Sequence, residues 1–327
     1  MTEKVLLQVQ WGKQTDWNTA VAGSVKGMAL SDFMMKPVVE TQMIPELRGS
    51  LAPGFISVAN YQAGEGSIEG AVTYEDFPYW LEGLVGVATP SGVGPYTRDY
   101  VFPGVPVLSG GNAIRLFTFL YGDSVGGVYR ASGGLISKLN VKGNKGEAWT
   151  FSADWLAKIV ENAGALAGLS DRVVTPVQGV NTTLYIDAIG GVIGTTAVPT
   201  TAFSFELDID TKRSLKQHLG SLNADGFAHG EAWEASLTLV MEFNATSKAY
   251  LDVLIAGTVF QKQIRIKALN GTNICQLDFA GTQDGAPQIF DDEDGVSTVE
   301  IKLSGIYSSA LGNWAKAQVV NSVAALA

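Results

Sequence analysis

The 327-residue sequence contains one cysteine, Cys275, and two histidines, His218 and His229. A single thiol excludes an intramolecular disulfide framework, so stability has to come from packing and from assembly. Both histidines lie in KQHLGSLNADGFAHGEAW, with no neighbouring thiol and without the spacing of a metal-binding helix pair, and they read as solvated loop residues. Positive charge is scarce: 22 Lys and Arg face 32 Asp and Glu, for a net charge of −10. That balance opposes tight nucleic-acid binding through counterion release. The opening MTEKVLLQVQWGKQ lacks the basic, apolar, small-residue order of a secretion signal, and no apolar run approaches the ~20 residues of a membrane helix. The expectation is a soluble protein made in cytoplasm, with no membrane partner.

Catalytic patterns are missing too. There is no G-x-S-x-G elbow and no G-x-x-x-x-G-K-[ST] phosphate cradle, and GEGSIEG (64–70) has the wrong glycine spacing for a dinucleotide site and precedes a strand. In FDDEDGVSTVEI (290–301), placing Gly295 at the turn of a calcium loop puts Phe290 and Ile301 at ligand positions, which leaves Asp291–Asp294 as a solvated hairpin tip. Glu65, Glu69, Glu75 and Asp76 form the one carboxylate cluster on which a hydrolase could be built. On a strand, Glu69 and Glu75 stand about 20 Å apart, too far for a glycosidase pair. The sequons at Asn181, Asn244 and Asn270 mean little without secretion. No catalytic residue, cofactor or metal ligand is therefore assigned, and Trp11, Trp17, Trp149, Trp155 and Trp314 read as core or interface anchors.

What is present is β patterning. Hydrophobic residues make up 46% of the chain and glycines number 38, which suits β-rich packing. In EGSIEGAVTYEDFPYWLEGLVG (65–86), Ile68, Val72 and Tyr74 alternate with polar neighbours as in a half-buried strand. At Asp76 the period changes, and Phe77, Trp80, Leu81, Leu84 and Val85 make a helical stripe. Asp76 is the expected N-cap, Pro78 sits in the first turn and Gly86 closes the helix. A shift of 165 residues puts Val38 on Phe203 and Ile68-Glu69 on Trp233-Glu234, and the junction recurs in EAWEASLTLVMEFNATSKAYLDVLIAG (231–257). There Asn244 is the expected cap, Tyr250, Leu251, Leu254 and Ile255 form the stripe, and Gly257 ends it.

Ahead of each junction stand strands KPVVETQ (36–42) and AFSFELDID (202–210), each followed by about twenty residues too long for a turn. The reading is a mainly β protein of two tandem β-sandwich or barrel-like domains, 1–165 and 166–327, each with one short helix and one long hairpin loop. The first carries an additional Pro/Gly-rich segment at 87–111.

ETQMIPELRGSL (40–51), the long loop after it and EGSIEGAVTYEDFPYWLEGLVG resemble the tail tube proteins of long-tailed bacteriophages. The second half, through TLYIDAIGGVIGTTAVPTT to the last hairpin, is similar to the longer, duplicated members. The resemblance implies a structural virion protein that forms stacked rings around a channel through which the genome passes. A two-domain member is then expected to make a trimeric, pseudo-hexameric ring, to meet other tail proteins at the tube ends, and to let DNA pass without specific binding.

On this reading Phe77, Trp80, Leu81, Leu84, Tyr250, Leu251 and Leu254 anchor the helices. Leu47, Arg48, Phe55 and Tyr61 in one loop, and His218, Asn223 and Phe227 in the other, are candidates for ring stacking. The acidic excess is expected partly to face the lumen, and subunits are expected to join by β pairing of their edges. A β-sandwich adhesin or carbohydrate-binding module is the alternative, and it requires exposed aromatic platforms.

Overall fold

A computed structural model describes residues 6–46, 48–49, 54, 56–102, 114–123 and 125–327. The chain is mainly β, with two helices and a large antiparallel sheet. The first half contains β1 (Gln8–Gln14), β2 (Val25–Lys26), β3 (Leu30–Ile44), β4 (Ile56–Ala71), α1 (Phe77–Leu84), β5 (Tyr96–Val101), β6 (Leu116–Asp123), β7 (Gly127–Asn144), β8 (Thr150–Ala157) and β9 (Ile159–Asn162). The second contains β10 (Thr182–Ala188), β11 (Ala202–Asp210), β12 (Arg213–Lys216), β13 (Gly226–His229), β14 (Glu234–Glu242), α2 (Ala245–Ile255), β15 (Gln261–Asn270), β16 (Asn273–Gln283), β17 (Gln288–Glu293), β18 (Val296–Gly305) and β19 (Ala315–Asn321).

Period-two alternation decides how these strands stack. Phe33, Ile68, Ala153, Leu139, Ile209 and Ala235 stand opposite one another across β3, β4, β8, β7, β11 and β14, and all but Ala235 are buried. Gly70, Phe151, Val141, Leu207, Leu237 and Leu303 form a second such row, ending on β18. These rows close over α1 and over further sheets in which β1 pairs β6, β6 pairs β7 and β7 pairs β9, while β10 pairs β15, β15 pairs β16 and β16 pairs β19. A single buried cluster runs from Val9 to Leu326.

The glycines of GEGSIEG serve this packing. A Cβ on Gly66 would collide with the Met34 carbonyl and the Trp155 ring, and one on Gly70 with the Ala29 carbonyl.

Each half follows the same pairing scheme. The chain β1, β6, β7, β8, β4, β3 is matched by β10, β15, β16, β18, β14, β11. The register differs from the 165-residue shift expected from the sequence. Val72 N–H donates to Trp149 O just before α1, and Phe243 N–H to Ser297 O just before α2. That equivalence places Ile68 on Leu239 and Phe33 on Phe205, a shift of 171 to 172 residues. Alternation alone tolerates any even slip, so the sequence pattern could not fix the offset.

Three local expectations are corrected. The residues expected as a long loop up to Gly64 are largely strand, because β3 and β4 run on as one hairpin that narrows the connection to 45–55. The Asp76 side chain accepts no first-turn N–H and instead binds Arg172 Nη2 at 2.8 Å. Ile255, expected in the α2 stripe, is 72% exposed. Asn244, in contrast, caps α2 with a full capping box through Ser247, and Gly257 (φ 70°) supplies the left-handed residue that ends it.

The helices are buried to different degrees. Every residue of α1 is buried, whereas α2 buries Ser247 and Leu251 and only half-covers Tyr250 and Leu254. Trp80→Ala is therefore expected to cost about 3–5 kcal/mol, and Leu254→Ala about 1–2 kcal/mol. Urea unfolding of the two variants checks the difference.

Candidate assembly site

The face of the large sheet opposite its core is mainly polar, with Met34 opposite Ser67 at its β3 edge. One row reads Asp32, Glu69, Ser152, Asn140, Asp208, Ser236 and Ser304. Another reads Ser67, Asp154, Lys138, Asp210 and Glu234, and a third Thr150, Lys142, Glu206, Thr238 and Lys302. The face is concave, with a trough of about 1170 Å³ lined by most of these residues, among them Glu69, Asp154, Asp208, Asp210 and Glu234. Carboxylates outnumber lysines in the three rows.

Lysines offset the closest like-charge contacts. Asp210 and Glu234 stand directly opposite, and Lys212 Nζ lies between them at 3.2 Å and 2.6 Å. Lys138 reaches Asp210 at 3.2 Å, Lys142 reaches Glu206 at 2.8 Å, and Asn140 Nδ2 donates to Glu206 and Asp208. Partial burial tends to raise the Asp210 carboxyl, but hydrogen bonds from Lys212 and Lys138 outweigh it and lower its pKa. Glu206 is lowered in the same way, with Lys142 and Asn140 overcoming burial.

The two halves meet at the centre of this sheet. β7 pairs β8 on one side and, from Lys138 to Asn144, β11 on the other. The sheet therefore continues β3, β4, β8, β7, β11, β14, β18, β17, eight strands in all. Among the described residues β3 pairs with β4 alone and β17 with β18 alone, so each keeps one edge without a strand partner. Pro37 is tolerated within β3 because such an edge need not donate at every residue.

Arg213, at the start of β12, fastens the junction from behind. It is 7% exposed and donates to the Gly83 and Leu84 carbonyls at the C-terminal end of α1 and to Ile136 O. Its guanidinium lies 5.3 Å from the Trp233 ring centre, and burial without a carboxylate partner pushes its pKa down to about 10. The end of α2 needs no such clamp, since Gly257 N–H and Thr258 N–H return to Leu254 O and Val253 O.

The sequence-derived site residues separate into three groups. Phe77, Trp80, Leu81 and Leu84 are all in the core, and Leu251 joins them at 5% exposure. Leu47 and Phe55 lie outside the described residues, and Arg48 beside them pairs with Glu46. Tyr61 is inside β4, opposite Glu40. His218, Asn223 and Phe227 belong to an arm, 212–230, that folds back on its own first half. Trp17 Nε1 donates to Ala224 O at 2.9 Å, Gln217 Nε2 to Asn60 O, and Gln62 N–H to Leu222 O. His218 contacts Asp225 at 3.2 Å. The tip residue beside it, Leu219, is fully solvent-exposed.

At the acidic hairpin tip, Lys145 Nζ sits 2.7 Å from Asp294 and 3.5 Å from Glu293. No tryptophan side chain is exposed: Trp11, Trp80, Trp149 and Trp155 are buried, and Trp17, Trp233 and Trp314 are half-buried. The platforms that an adhesin or carbohydrate module would need are not built from tryptophan here.

Sequence reasoning missed three features. They are the β7–β11 pairing, the Arg213 clamp, and β5, which lies in the 87–111 segment of the first half yet pairs with β19 of the second. An alternating lysine strand, KLNVK, opposite an alternating acidic one, ELDID, was the available signal for the first.

A broad antiparallel sheet with an acidic face and, among the described residues, two edges without strand partners makes this a mainly β protein. The family model described as "Phage tail tube protein" matches residues 6–305, and the chain belongs to that family. Comparison with curated proteins gives no match.

Two outcomes follow for the junction. Arg213→Lys keeps the charge but loses the fork that spans the carbonyls, and is expected to destabilise by about 1–3 kcal/mol for each carbonyl left without a donor, measured as a fall in urea midpoint. Because Asp210 and Glu206 have lowered folded pKa values, their contribution is fully present above the ordinary carboxylate range, roughly pH 4–4.5. It is lost as pH falls through the depressed values. Unfolding followed from pH 6 to pH 2.5 should show stability declining in that window, with a smaller decline in Asp210→Asn.

Proposed function

We propose that the chain polymerises into rings that stack as the phage tail tube and conduct DNA during ejection. Its role is structural rather than enzymatic. The observation that carries this reading is the eight-stranded sheet with an acidic concave face and two unpaired edges.

Unpaired edges invite uncontrolled association, and closing a sheet on itself removes them. The matched pairing schemes of residues 8–162 and 182–321 support a duplicated domain, so that three chains supply six pseudo-equivalent units. Three eight-stranded sheets give 24 strands; at about 4.8 Å per strand the wall is roughly 37 Å across between backbones before tilt widens it. Such a lumen admits a DNA duplex.

The acidic rows then line it. Like charge on wall and phosphate leaves DNA mobile, and Lys138, Lys142 and Lys212 are held by carboxylates and so do not grip it. The exposed tip of the 212–230 arm at Leu219 is assigned to contact with the next ring.

Electron microscopy of the purified chain with rotational averaging is expected to show hollow rings or tubes with threefold or pseudo-sixfold symmetry. Replacing residues 218–221 by two glycines is expected to leave rings but shorten tubes. Monomers alone at high concentration would overturn the reading.

A further inference from the structure

We infer that consecutive copies of this chain join by antiparallel pairing of β17 in one copy with β3 in the next, in a fixed register that sets Ile289 opposite Met35 and Gln288 opposite Lys36. The inference rests on the ring reading above and deepens it by naming the contact. It comes from the β7–β11 junction, which the chain makes with itself.

The correspondence between the halves extends to both sides of that junction. Trp149 and Ser297 hold equivalent backbone hydrogen bonds ahead of the two helices, so Phe151 matches Val299 two residues later. Phe151 stands opposite Val141, and Val299 stands opposite Ile289. β17 is therefore the counterpart of the last part of β7. Phe33 faces Ile68 as Phe205 faces Leu239, which makes β3 the counterpart of β11 and Met35 that of Leu207. Within the chain Val141 stands opposite Leu207 and Asn140 opposite Asp208. Carrying those pairs to their counterparts gives Ile289 with Met35, and Gln288 with Lys36.

Burial at the two places differs as this requires. Val141 and Leu207 are 1% and 4% exposed because the internal junction covers them. Ile289 is 40% exposed and Met35 half-buried. Apolar side chains are thus uncovered at the positions whose counterparts are covered. The polar pair is also compatible: Asn140 donates to Asp208 at 2.6 Å, and the Gln288 amide oxygen can accept from the Lys36 ammonium in the equivalent place.

Since each chain presents one β3 and one β17, the contact is head-to-tail. It repeats the strand pairing already present between the halves, and a head-to-tail contact of this kind gives a ring when its rotation steps add up to a full turn.

The test is disulfide trapping in the full chain with Cys275, which is buried, replaced by alanine. Gln288→Cys with Lys36→Cys in one chain should, under mild oxidation of assembled protein, give a ladder of covalent multimers ending at a closed trimer. Gln288→Cys with Asp32→Cys, displaced by about 13 Å along β3, should cross-link at least tenfold less. Amides of β17 should also exchange at least tenfold more slowly after assembly. Rings on the grid with equal trapping by both pairs, or with β17 exchange unchanged, would overturn this contact and leave the ring reading intact. Monomers only, by microscopy and sedimentation, would overturn both.

Discussion

The structure depends on one strand serving two sheets. β7 runs for 18 residues, giving its first part to β6 and β9 and its last part to β8 and β11. A bulge opposite β8 between Ile136 and Lys138 lets the register change where the strand passes from one sheet to the other. Beyond it, Leu139 and Val141 point to the core and Lys138, Asn140 and Lys142 to the acidic face. A slip of one residue would exchange those sets, so the alternation of both β7 and β11 holds the junction in place.

That junction explains why the helices differ. α1 lies beneath it, so its environment includes Arg213 from the second half, Arg115 against Glu82, and Arg172 against Asp76. Burial raises both carboxyls against the pull of those arginines, a sign of charges held inside by specific partners. α2 has the same place in the pairing scheme but leaves most of its residues exposed, and it closes with its own backbone. Equivalent elements carry different side chains because one is internal to a chain and the other faces outward.

Much of this was legible in the sequence. The switch from period two to helical spacing at Asp76 and Asn244 located both helices, and Phe77, Trp80, Leu81 and Leu84 went to the core as their spacing required. The length of the β3–β4 hairpin was not legible. Residues such as Ser57, Val58, Ala59 and Asn60 are exposed on both faces, so no amphipathic pattern marks them as strand, and their order comes from cross-strand pairing. The repeat could be seen but its offset could not, since Ile68 falls as well on Trp233 as on Leu239 if parity is the sole criterion. Arg213 was invisible because its partners are backbone carbonyls, which leave no trace in side-chain composition.

The pairing of β5 with β19 bears on how such a chain is made. Val101 stands opposite Lys316, so a strand from the first third of the chain waits for one synthesised some two hundred residues later. At ordinary elongation rates that delay is tens of seconds. During this interval the nascent first half keeps an unsatisfied strand and an α1 pocket still open toward Asn321 and Leu326. A truncated polypeptide released before β19 is made would thus leave β5 without its strand partner.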